Sequence, residues 1–182
     1  MLWRVALLNV GAAWIAIGVL AFALYAVLEP VNKRLAPLAL VLRLGASFVG
    51  AASLMFRVAQ ARLYSASKTE GLFTTEQLRT LAAVTQQGAN AGVWTGWMFL
   101  DAGSLLFFVL FLRSRDLPRA LAWSGIVASA LFFATTIAML VFPQRGNELK
   151  VLGLPAFLVD VATALWLLFK GVQPRTTAEA RA

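Results

Sequence analysis

The chain has 182 residues and a formal net charge of +8; 60% of its residues are hydrophobic and 13% are charged. A soluble domain carries about 25% charged and about 45–50% apolar residues, so a water-soluble core of this size is excluded, as is disorder. Cys and His are both absent, which removes disulfides, thiolate- or imidazole-held metals and haem, and Cys or His catalysts. The mean hydropathy of +0.79 leaves an all-α, polytopic transmembrane helical bundle as the fold class. No metal site and no cofactor is expected. The Lys and Arg residues sit between apolar runs, as beside lipid headgroups, so nucleic acid is not an expected partner.

A helix crossing the ~30 Å hydrocarbon core needs ~20 apolar residues. The first such run covers 5–28, entered after Arg4 and ended by Glu29-Pro30. It is too long for a signal peptide and no small-residue cleavage site follows. The second run, 35–56, contains Arg43. That charge costs ~2.5–3.5 kcal/mol on insertion scales, which the surrounding Leu, Val and Phe residues offset. Arg43, Ser47, Gly50 and Arg57 share one face of this run.

Between the second and third runs, Thr74 with Gln77 three residues on reads as a capping box, and Phe73 with Leu78 as a hydrophobic staple. The sequence therefore predicts one extracytoplasmic helix before span three. That helix lies on the membrane surface or runs straight into the third span; no Pro separates the two, which favours continuity.

The third run, 93–112, contains Asp101. Asn90, Trp94, Trp97, Asp101 and Ser104 recur at three- and four-residue steps and form one stripe. Gly92, Gly96 and Gly103 lie roughly opposite, and Gly92-Val-Trp-Thr-Gly96 is a GxxxG motif that admits a second helix backbone. The stripe reads as a polar cavity wall, or, for Trp94 and Trp97, as an interfacial aromatic belt. The fourth run covers 119–142. The fifth, 151–168, holds Asp160 on a face with Gly153 and Thr163, after Pro155, which is expected to loosen the preceding turn. Span, short basic loop, span occurs at 5–56 and again at 93–142, a coarse internal repeat. The single transmembrane domain is thus 1–173, and 174–182 is a polar tail.

Five spans put the termini on opposite faces, A (N-terminal) and B (C-terminal). The B loops are short and densely basic, so B is expected to be cytoplasmic. At 1.5 Å per residue, Asp101 lies ~12 Å from A, Asp160 ~13.5 Å, and Arg43 ~18 Å. The three intramembrane charges are therefore nearly level, and such residues usually face the bundle interior and pair. The alternatives are a structural ion pair, a substrate or proton site, or a snorkelling Arg43.

Three stretches resemble a known family: LYAVLEPVNKRLAPLALVLRLG (24–45), LRSRDLPRALAWSGIVASAL (112–131) and LPAFLVDVATALWLLFKGVQP (154–174). The chain is identified by them as similar to the bacterial membrane proteins catalogued as domain of unknown function 4386. The resemblance implies a multi-pass protein of the bacterial cytoplasmic (inner) membrane with a cytoplasmic C-terminus, and no assigned activity. Members usually begin with one more span, so this chain is expected to be short at its N-terminus. A carboxylate often follows the Arg by three residues, where this chain has Ala46, and the late acidic residue is usually Glu rather than Asp160. Arg43 thus lacks a same-helix partner. Asp160 is its expected partner, because that stretch is the most specific. Asp101, beside Ser104 and the Trp stripe, is then the proton carrier or ligand contact.

The functional expectation is a non-enzymatic membrane protein that binds or translocates a small amphipathic ligand, a proton or another ion. Its candidate residues are Arg43, Asp101, Asp160, Ser104, Trp97, Trp94 and Ser47. Besides the lipid bilayer, the alternative reading gives it a membrane-protein partner or a homo-oligomer, as an accessory or structural subunit. A catalytic site would need Asp101 and Asp160 as a carboxylate pair, and no motif supports one.

Overall fold

The computed structural model describes residues 2–70 and 73–171. The tail expected at 174–182 lies outside them. Among the described residues seven α-helices follow in order: α1 (Leu2–Leu28), α2 (Leu35–Ala52), α3 (Leu54–Glu70), α4 (Thr75–Ser114), α5 (Arg119–Val141), the single turn α6 (Gly146–Leu149) and α7 (Leu154–Lys170). Among the described residues five runs are long and apolar enough to cross a membrane: Arg4–Leu28, Leu35–Leu63, Thr75–Ser114, Arg119–Val141 and Pro143–Lys170. Their outward residues are the oily ones; Phe48, Leu168 and Phe169 are 71%, 77% and 79% exposed. That is the pattern of a bundle whose solvent is lipid rather than water.

The capping box forms as the sequence predicts. Gln77 donates its backbone N–H to Thr74 Oγ1 (3.2 Å), and Thr74 donates its own to Gln77 Oε1 (2.9 Å). The helix it starts is continuous with the third span, 40 residues in all, ~60 Å at 1.5 Å per residue. The second span also continues beyond its predicted end. At Ser53 the chain tightens, its hydroxyl donating to the Gly50 carbonyl (2.5 Å), and helix resumes as α3. The N-terminal part of α4 and α3 pack together as an antiparallel pair, with Phe56 of α3 seated on Gly88. Since the two helices together exceed the ~30 Å hydrocarbon core, this hairpin stands proud of the A face.

Within the membrane the main seam joins α2 and α4. A Cβ on Gly92 would lie 2.8 Å from Ser53 Cβ. On Gly96 it would lie 3.3 Å from both Ala46 O and Gly50 Cα, and on Gly103 3.1 Å from Ala39 O. The glycine face therefore brings two backbones together, as its spacing predicts. Trp14 of α1, 6% exposed, wedges into the same seam against Gly50 and Gly96. Towards the B face the interior is apolar, built around Leu28, Phe107, Phe108, Leu110 and Phe111.

The two short B loops use different devices. Asn32 Oδ1 accepts from the backbone N–H groups of Arg34 and Leu35 (2.9 Å each). Arg115 adopts a left-handed conformation (φ 61°), and Asp116 donates its N–H to Ser114 Oγ (3.3 Å). The pairs α1–α2 and α4–α5 are both helical hairpins, but these turns are not copies of each other. The last span is peripheral: the backbone of α7 lies close to α5 and the 3₁₀ turn before it, while Val159, Trp166 and Leu167 reach the apolar B-side core. Pro155 sits in the first turn of α7, where a missing N–H costs nothing. It opens that helix rather than loosening a turn within it.

Candidate functional site

Four layers stack from the A face toward the B face. The outermost is a pocket of about 450 Å³ between α4 and the end of α5, lined by Gln87, Asn90, Trp94, Leu140, Pro143 and Gln144. Next comes an aromatic layer. Trp97 and Phe132 stack with centroids 5.6 Å apart, tilted by 44°, and Phe132 rests on Gly153, where a Cβ would lie 2.5 Å from its ring. This contact links α4, α5 and the start of the last span. Beneath it lies the charged layer, then the apolar B-side core.

Arg43, Asp101 and Ser104 in the charged layer are buried, at 5%, 4% and 3% exposure. Arg43 donates from Nη2 to Ser104 Oγ (2.6 Å), and Ser104 donates in turn to the Leu100 carbonyl (2.8 Å). The Arg43 guanidinium carbon lies 5.5 Å from the centroid of the Phe107 ring, a cation–π distance. Phe107, an apolar residue one step along the stripe from Ser104, carries no polar signal by which pattern alone would find it. Because Gly103 has no side chain, the Arg43 stem passes directly over it. The polar and glycine faces of α4 therefore meet at Arg43 instead of standing opposite each other.

Asp160 stands on the flank of the α7 packing stripe and is exposed, whereas Thr163 is buried at 8%. Among the described residues no ion pair joins Arg43 to either aspartate, yet both act on it electrostatically. Their negative charges favour the guanidinium through space. The expected trio is therefore coupled through space, with Ser104 as the direct partner of Arg43. Four buried atoms have no hydrogen-bond partner among the described residues: Arg43 Nε, Asp101 Oδ2, Thr163 Oγ1 and, away from this layer on α3, Arg57 Nε. Buried polar atoms are seldom left so, and in the charged layer Arg43 leaves a donor and Asp101 an acceptor unmade.

The other predicted residues are placed elsewhere. Ser47 donates to the Arg43 carbonyl (3.2 Å) and faces α1, where a Cβ on Gly18 would lie 3.4 Å from its hydroxyl. It supports the backbone of Arg43 and takes no part in the charged layer. Trp94 packs on Gly146, and Trp97 on Phe132, so each indole closes a helix contact. Among the described residues no group of three or more acidic side chains is arranged to hold a metal ion.

Length, apolarity and a buried charged layer define a multi-pass helical membrane protein. Within that class, the family described as "Domain of unknown function (DUF4386)" matches residues 1–171, and the chain belongs to it. No curated protein and no solved structure matches the chain.

Proposed function

We propose that the charged layer is an intramembrane site that binds or moves a small ligand or ion, with no catalytic step. Arg43 is its fixed cation, Asp101 its exchangeable contact and Asp160 a second, more open carboxylate. The observation that carries this reading is the pair of unpartnered buried atoms on Arg43 and Asp101. A layer built only for stability would turn those atoms toward one another, since an unmade buried hydrogen bond is costly. Of the features that favour an accessory subunit, small size, GxxxG and the lack of a soluble domain, the GxxxG face is already occupied by α2 of the same chain.

Native mass spectrometry of the protein released from lipid nanodiscs tests the reading. The parent should retain a small adduct, and Asp101→Asn, which keeps the shape and removes the carboxylate, should lose it. A bare parent polypeptide, or one carrying a second protein at fixed stoichiometry, counts against a ligand site.

We propose further that the protein resides in a bacterial inner membrane with face B in the cytoplasm, supported by the short basic loops around Lys33 and Arg115. With no native Cys, single-cysteine labelling is clean. In intact cells, a membrane-impermeant maleimide should label Thr80→Cys and spare Arg115→Cys. The reverse pattern sinks this orientation.

A further inference from the structure

The pocket at the A face differs in chemistry from the charged layer beneath it. Its polar lining is three carboxamides, from Gln87, Asn90 and Gln144, with Trp94 beside them. Among the described residues no charged side chain lines it, although Arg145 follows Gln144 and the chain is strongly cationic. The pocket is also organised. Gln86 donates from Nε2 to Asn90 Oδ1 (2.9 Å), which fixes that amide and leaves its two N–H donors unused among the described residues. The six-membered ring of Trp94 is held against Gly146, where a Cβ would lie 2.5 Å from it. The volume of about 450 Å³ falls within the usual range for small-ligand sites.

Each carboxamide offers a donor pair and an acceptor. A hydroxyl is likewise both donor and acceptor, so a row of amides matches a row of hydroxyls whichever way each is turned. An indole adds a flat apolar surface for C–H groups between them. An anion would find no cation in the lining, and a cation no carboxylate. We propose that this pocket binds a neutral polyhydroxyl group, either a free sugar or the sugar headgroup of a lipid. Its level suits both sources, since the apolar run of span three begins near residue 93 and that of span four ends near residue 142.

The test uses the full chain in phosphatidylcholine nanodiscs, prepared without sugar-based detergent. Glucose is titrated in one arm. In the other, monoglucosyl diacylglycerol replaces part of the lipid, and the readout in both is melting temperature. A concentration-dependent rise in either arm is expected, and the responding arm identifies the source. Gln144→Leu and Asn90→Leu should each weaken the response about five- to tenfold, the effect of one lost hydrogen bond. Gln144 is exposed, so its replacement leaves helix packing intact and carries the test even where Asn90→Leu does not fold. No rise in either arm overturns the proposal. So does a rise unchanged in the Gln144 variant, or an equal rise with gluconate or glucosamine, which would mark recognition by charge.

Discussion

Gly96→Leu should lower the melting temperature of the purified protein by roughly 6–12 °C, from an overpacking cost of about 3 kcal/mol. A Cβ at this position already meets Trp14 Cη2 at 3.2 Å, and Ala46 O and Gly50 Cα at 3.3 Å. Two of those three atoms are backbone and cannot rotate away. Leucine adds three more carbons, so α2 and α4 must separate along the seam that holds Trp14. Ala134→Leu, at an exposed position of α5, is the matched control and should leave the transition unchanged. Both variants should insert normally, since leucine favours the membrane interior. A Gly96→Leu protein as stable as its parent would show that this glycine face meets lipid, contrary to the packing described.

The second large effect is expected at Arg43. Arg43→Met keeps a long unbranched side chain over Gly103 but removes the bond to Ser104 and the positive charge. It leaves Asp101, 4% exposed, and Asp160 to repel each other with no intervening cation. Removing one partner from a buried charged set costs about 3–5 kcal/mol, enough to reduce folded yield as well as thermal stability. Packing and charge are separated by a triple variant, Arg43→Met with Asp101→Asn and Asp160→Asn. If charge dominates, the triple variant recovers most of the lost stability even though it departs further from the natural sequence. A triple variant no better than Arg43→Met alone would assign the loss to packing over Gly103 and Phe107.

The five spans were legible because membrane insertion is decided by a sum over ~20 residues, and no single residue has to be read correctly. The seam was legible for a different reason. Glycine at four-residue steps has few other uses in an apolar helix, and Gly92 and Gly96 lie against Ser53 and Gly50 as their spacing implies. The helix α3 was missed because its residues are mixed: it carries Arg57, Arg62 and Lys68 among alanines and gives no apolar run. What holds it is its neighbour α4, through contacts such as Phe56 on Gly88, a tertiary cause that local pattern does not report.

Depth arithmetic placed Arg43, Asp101 and Asp160 in one layer, because rise per residue is fixed. It could not give azimuth. Whether Asp160 faces Arg43 depends on how α7 leans. That is set by Phe132 on Gly153 near the A end and by the Trp166 Nε1 bond to the Asp116 carbonyl (3.3 Å) near the B end. Ser104 was named as a site residue without its role as the direct acceptor from Arg43. A serine one turn below an aspartate does not reveal which of the two an arginine will reach.

The unbroken course of α4 has a mechanical consequence. Its 40 residues contain no proline, and its glycines are braced by neighbouring atoms at Phe56, Ser53 and Ala46. Gly96, in the tightest part of the seam, lies 21 residues from Thr75 and 18 from Ser114, arms of about 32 Å and 27 Å. Neither arm is free: Phe56 of α3 rests on Gly88 in the outer one, and the inner one carries Phe107, Phe108 and Phe111 into the B-side core. A single unbroken helix thus ties the outer hairpin, the charged layer and the apolar core together, with no hinge between Thr75 and Ser114.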